Sequence, residues 1–316
     1  MELRQLRHFV AVAEELHFGR AAERLHMTQP PLSQSIQALE VDLGVQLFFR
    51  TKRTVRLTPI GNEWLPYARR VLGEAMELPD LARRLSRGEV GRLRVAFVSF
   101  VGYSFLPRLV SRFKQSFPEV EIDLHEATSN VQLESLLAGE LDVGLMIPPP
   151  NRAMPAPLGY VPISSEELIV AMPSRWVDGS DPASKERTVS FDDLRDKPLV
   201  LFPRTGAPVL HDLVTRLYAD HGAQPVIGQR AMQMQTIINL VAEGMGLAFV
   251  PSSMRSLSPS GVSYLRLRES APTIEVGMGW RPEQASEIVR KFVAFVEDEM
   301  AKGRGEVCLT STVALG

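Results

Sequence analysis

Between Thr28 and Gln37 the chain sets hydrogen-bonding side chains around an aliphatic stripe. Thr28, Gln29, Ser33, Gln34 and Gln37 alternate with Leu32, Ile36 and Leu39. The aliphatic residues are four and then three apart, which is one face of an α-helix. With that face buried, uncharged amides and hydroxyls look outward near the helix start. Such groups match donor–acceptor pairs on base edges in the major groove of DNA. Thr28 is placed to cap the helix, and Pro30 and Pro31 fall in its first turn, where a missing N–H costs nothing. Upstream, Ala21, Ala22 and Leu25 share a face of a shorter helix. The pair reads as a helix-turn-helix, with Thr28, Gln29, Pro30, Ser33, Gln34 and Gln37 as candidate DNA contacts. An ordinary amphipathic hairpin with a polar solvent face fits the same residues.

The elements around this pair follow from spacing. Leu3, Leu6, Phe9, Val10, Ala13 and Leu16 predict a supporting helix. Leu43-Gly44 reads as a helix stop, and the pattern turns extended from Phe49 to Leu57. Arg50, Lys52, Arg53 and Arg56 gather in that hairpin, with no acidic residue between Asp42 and Glu63. A basic wing would hold phosphates, which fixes register more than sequence, and Arg50 and Arg53 are its candidate contacts. Thr58-Pro59 starts a helix that runs to about Ser86. Its stripe of Leu65, Ala68, Leu72, Ala75, Met76, Leu78, Ala82 and Leu85 is long for a small domain and predicts pairing with a second subunit. Pro66 and Pro79 should kink it.

The whole chain of 316 residues carries a net charge of −2, unevenly spread. Residues 1–90 hold 13 Lys/Arg against 11 Asp/Glu, and the remainder 22 against 26. The net charge argues against a non-specific coat for nucleic acid, and a slightly basic head on an acidic body suits a local DNA reader. Cys308 is the single cysteine, so neither an internal disulfide nor a cysteine-built metal site is expected, and a reducing cytoplasm fits. His8, His17 and His26 lack the one-face spacing of a ligand set, so no metal and no cofactor are expected. The N-terminus does not read as a secretory signal, and no apolar run approaches membrane-spanning length.

From Arg92 the pattern alternates strand and helix. Strands are predicted at 93–98, 120–126, 141–146, 168–172, 199–202, 225–230, 247–251, 264–267 and 274–280. Helices fall near 106–113, 131–138, 208–221, 233–243 and 283–300. Such alternation predicts a parallel sheet covered by helices. Ligands of such sheets bind beyond the strand C-termini, against helix N-termini. The tail, 301–316, reads as disordered.

LRHFVAVAEELHFGRAAERLHMTQPPLSQSIQALE, then LGVQLFFRTKRTVRLTPIG, then the long helix, resemble the N-terminal part of LysR-type transcriptional regulators. The order of elements continues the resemblance to about residue 300. MELRQLRHFVAV and TQPPLS are similar to the branch with benzoate- and muconate-responsive members. The resemblance implies a winged helix-turn-helix domain (1–58), a linker helix and hinge (59–91), and an α/β body like a periplasmic binding protein (92–300). That body would have one subdomain at 92–162 plus 268–300 and another at 163–267, with a small organic acid effector between them. Ser99 and Thr128 match positions where hydroxyls meet the effector's polar group. Phe202 and Arg204 follow a strand of the second subdomain, and Arg204 could pair an anion. Phe100, with Val101, Tyr103 and Met234, would line the cleft. Gly144-Leu145-Met146-Ile147 lacks the arginine some relatives use for a second anion site.

The partners so implied are double-stranded promoter DNA, further copies in a homodimer or homotetramer, and RNA polymerase if the protein activates; the setting is cytoplasmic and nucleoid-associated. A small-molecule binding protein with no role at DNA fits the body alone. An enzyme is not expected, because no Gly-x-Ser-x-Gly, Walker loop or His-Glu-x-x-His occurs.

Overall fold

The computed structural model describes residues 1–51, 54–150, 153–177, 187–257 and 259–303. It divides into two compact units, Met1–Arg84 and Leu85–Gly316.

The N-terminal unit runs α1 (Leu3–Glu15), α2 (Phe18–Arg24), α3 (Gln29–Leu43), β1 (Phe48–Arg50), β2 (Val55–Leu57) and α4 (Pro59–Ser86). Leu32, Ile36 and Leu39 are fully buried, as their spacing predicts. They pack with Phe9, Val12, Ala21 and Ala22. Phe9 meets Phe48 and Trp64 at ring-centroid distances of 5.4 and 4.9 Å, so α1, the wing and α4 share one aromatic knot. The α1 face is rotated from the expected one. Leu3 and Leu16 are exposed, whereas His8, Ala11 and Val12 are buried.

The caps are also not the expected ones. Thr28 is the N-cap of α3, yet its hydroxyl makes no capping hydrogen bond. His17 caps α2, its Nδ1 accepting from the Gly19 and Arg20 N–H groups at 3.0 and 3.2 Å. The turn between α2 and α3 places His26 at φ 52°, the left-handed region that favours glycine. Thr58 does cap α4, accepting from the Gly61 N–H at 2.9 Å and donating to the Gln46 carbonyl at 2.8 Å. That helix continues through Pro66 and Pro79. Its stripe divides in two. Trp64, Leu65, Ala68 and Leu72 pack on the unit's own core, while Met76, Leu78 and Leu81 are exposed.

The second unit holds β3 (Gly91–Phe97), α5 (Leu106–Ser116), β4 (Val120–Glu126), α6 (Ser129–Ala138), β5 (Val143–Met146) and the long β6 (Gly159–Pro173). There follow β7 (Thr188–Val189), β8 (Pro198–Leu201), α7 (Pro208–Asp220), β9 (Val226–Arg230) and α8 (Met234–Ala242). The unit closes with β10 (Ala248–Pro251), β11 (Val262–Leu267), β12 (Thr273–Trp280) and α9 (Glu287–Gly303). The sheet is mixed, a correction to the parallel expectation. The order is β4-β3-β5-β12-β6-β11-β7, with β10 also on β6 and β8 paired with β9. β3 lies parallel to β4 and β5. β12 runs antiparallel to β5 and β6, and β10 and β11 run antiparallel to β6. A buried strand reads as the same apolar run in either direction, so sequence pattern does not reveal this.

The chain passes between two lobes on β6. Residues up to Glu167 pair with β12, and from Leu168 they pair with β10 and β11. The partner change thus falls five residues beyond the expected boundary at 162/163. The anticipated tail begins as the last turn of α9, and 304–316, with Cys308, lies outside the described residues.

Candidate functional site

The outward face of α3 has the composition expected of a base reader. Thr28, Gln29, Pro30, Gln34 and Gln37 are exposed and Ser33 is half-buried. None of these polar side chains has a hydrogen-bond partner among the described residues. Behind that face, His8 Nδ1 and Ser35 Oγ lie 2.7 Å apart and tie α1 to α3. Burial, with the nearby Arg4 charge adding to it, pushes the His8 imidazole below its ordinary value.

The wing differs from its expected form at Arg50. Its guanidinium meets Glu40 at 2.6 Å and lies 5.0 Å above the Phe18 ring. Glu40 also accepts from the Leu47 and Phe48 N–H groups at 2.9 and 3.1 Å. Arg50 therefore braces α3 against the wing and is not an open phosphate contact in this arrangement. Its partner lies ten residues earlier, where a charge run gives no hint of it. Arg53 lies outside the described residues. Arg56 is exposed and has no ionic partner among the described residues.

In the second unit a cavity of about 250 Å³ opens between the lobes. Ser99, Phe100, Thr128 and Phe202 all line it, as does Met234. Ser99 begins a short 3-10 turn after β3, and Thr128 is the N-cap of α6. Neither hydroxyl has a hydrogen-bond partner among the described residues. The neighbouring Ser129 hydroxyl is already used, accepting from the Ile147 N–H at 3.1 Å. The first turns of α6, α7 and α8 all reach the cavity, so helix N-termini from both lobes face it.

Three expected contributors lie elsewhere. Arg204 is not in the lining; its guanidinium holds Asp212 through two hydrogen bonds of 2.8 and 3.0 Å. That pairing lowers the Asp212 carboxyl to about 2. Val101 is in the core, and Tyr103 directs its hydroxyl to Gln235 Oε1 at 3.4 Å. Among the described residues, Glu126 is the one charged residue in the lining. Pro148 to Pro150, which in sequence read only as a break in pattern, form part of the wall, as do Gly206 and Met232. Among the described residues no cluster of side chains suits a metal ion, and no helix is long and apolar enough to cross a membrane.

Comparison with known proteins decides what this pairing of a polar helix face with a lobed cavity means. Residues 3–62 match the model of the bacterial regulatory helix-turn-helix proteins of the lysR family, and residues 86–301 match the LysR substrate binding domain. The chain belongs to the LysR family. Among relatives of this family, it is 50% identical to the HTH-type transcriptional regulator IlvR of Caulobacter vibrioides over 299 residues, 95% of this chain and 98% of that protein. It is 37% identical to the regulator AlsR of Bacillus subtilis, over 93% of this chain and 94% of that protein. The structure of full-length CbnR complexed with its target DNA superposes with a TM-score of 0.67 at 32% identity, covering 95% of this chain and all of that one. The protein is a LysR-type DNA-binding transcriptional regulator with a C-terminal effector-binding domain.

Proposed function

We propose that this LysR-type regulator binds promoter DNA through the outward face of α3 and the wing, and responds to a small organic carboxylate held in the cavity. The observation that carries the ligand class is the pair of unpartnered hydroxyls, Ser99 and Thr128, opening at helix starts on an otherwise largely apolar cavity. Helix N-terminal N–H groups attract an anion by about 0.3–1 kcal/mol each way they are used, and more when partly buried. Hydrogen bonds to a charged acceptor are roughly twice as strong as neutral ones. With Arg204 committed to Asp212, the carboxylate is held by neutral donors, and Phe100, Phe202 and Met234 receive the apolar body.

The DNA reading is supported by the uncharged face of α3 and by the likeness to CbnR, whose structure holds its target DNA. The exposed half of α4 is the surface for a second copy, giving a homodimer or, with further contacts, a tetramer. Ligand binding would shift the populations of lobe arrangements and with them the spacing of the paired heads. If the protein activates, RNA polymerase is a further partner. A cytoplasmic, nucleoid-associated protein fits this role.

The test is a calorimetric titration of the full chain with benzoate, muconate and short aliphatic carboxylates, repeated on Ser99→Ala and Thr128→Val. Binding of one compound that weakens about tenfold in either variant is expected, the loss of a charge-assisted hydrogen bond. Binding that is indifferent to both substitutions would remove the cavity as the carboxylate site.

A further inference from the structure

Gly206 lies between β8 and α7, and Met232 lies between β9 and α8; both line the cavity. A Cβ placed on Gly206 would fall 1.9 Å from Met232 Cε and 2.4 Å from its Sδ. The end of the Met232 side chain therefore sits in the notch left by the absent side chain at 206. The backbone at Gly206 is not in the left-handed region, so an alanine could adopt its conformation. What the position uses is the missing volume.

Met232 also differs from its neighbours in the wall. Phe100, Phe202, Leu210 and Met234 are at most 4% exposed and locked in the core, whereas Met232 is 42% exposed. An unbranched thioether with three rotatable bonds can leave or enter the notch with no backbone change. The four buried side chains lack that freedom, because close-packed groups resist a change of even one methylene.

We propose that Met232 is the adjustable wall of the cavity and that its seat at Gly206 sets how large an apolar body the ligand can carry. The inference rests on the cavity being the effector site. Met232 seated in the notch leaves the cavity its present width. Displaced from it, the side chain either intrudes on the ligand or swings toward solvent and widens the site.

The test measures dissociation constants of the full chain for benzoate, phenylacetate and 3-phenylpropanoate by calorimetry. The proteins compared are wild type, Met232→Leu, Met232→Ala, Gly206→Ala and the double variant Met232→Ala/Gly206→Ala. Methyl-13C-methionine spectra, with the Met232 signal assigned by its loss in Met232→Ala, report the seat directly. Met232→Ala should shift preference toward the larger acids by on the order of tenfold, the scale of one or two methylenes in an apolar pocket. Met232→Leu, which keeps the volume, should keep the wild-type order. Gly206→Ala should move the Met232 methyl signal and change the affinities, yet have little further effect once Met232 is alanine. An unchanged order in Met232→Ala, or equal Gly206→Ala effects in both backgrounds, would overturn the proposal while leaving the cavity as the effector site. If none of the acids binds any of the proteins and the Met232 signal does not respond to them, the carboxylate reading of the cavity fails, and this inference falls with it.

Discussion

At the scale of single residues, the uncharged face of α3 makes a sharp demand. Replacing Gln29 with alanine should cost specific DNA binding about 1–3 kcal/mol, the range for a side chain reading a base edge. Thermal stability should not change, because Gln29 is exposed and its side chain has no hydrogen-bond partner among the described residues. An electrophoretic titration beside a thermal melt checks both. His8 makes a different prediction. Its imidazole is lowered by burial, so in the folded chain it stays neutral at a pH where the unfolded chain protonates it. That difference leaves stability unaffected above 6.5 and lowers it as pH falls from there through the folded value. Melts at about pH 7.5 and about pH 5.5 should show a larger loss for wild type than for His8→Asn. Much at this scale was legible in the sequence: the buried Leu32, Ile36 and Leu39, and the cavity positions of Ser99, Phe100, Thr128 and Phe202. Arg50 and Arg204 were not, because each is claimed by a carboxylate, Glu40 or Asp212, that only the folded chain brings against it.

At the scale of elements, the wing and the long helix carry the predictions. Arg56 is the wing cation left open among the described residues, so Arg56→Ala should weaken binding to all duplexes alike. It should also lower the salt dependence of binding by about one counterion. A loss confined to one operator sequence would make the residue a base reader. On α4, the change from packed Leu72 to exposed Leu78 and Leu81 marks where the chain's own core ends. Leu78→Glu with Leu81→Glu should therefore leave the protein monomeric in sedimentation analysis without unfolding the head, where the proposed pairing through α4 makes wild type a dimer or tetramer. Spacing alone located this helix and its capping Thr58 correctly. Spacing did not divide its stripe, since apolar residues facing a chain's own core and those facing another copy have the same period. Strand direction was hidden as well. β12 and β6 are antiparallel neighbours, yet only 168–172 of β6 reads as a strand; the half that pairs with β12, Gly159–Glu167, carries two serines and two glutamates and gives no apolar run to signal it.

At the scale of the whole molecule, a polar helix face and a lobed cavity belong to one chain, and the family relation makes them one device. Regulation requires the ligand to distinguish between arrangements of the lobes, because a ligand with equal affinity for two states shifts neither. β6 is the strand on which that difference would act, since it changes partners between Glu167 and Leu168. The proposed pairing of heads implies paired half-sites related by a dyad. The most direct measurement is a nuclease footprint of the full chain on the DNA upstream of its own gene, with and without the carboxylate found by calorimetry. Two protected half-sites on one face of the duplex are predicted, with an altered pattern or spacing of protection when the ligand is added. Protection that does not change at saturating ligand, or the absence of any sequence-specific protection, would contradict the account.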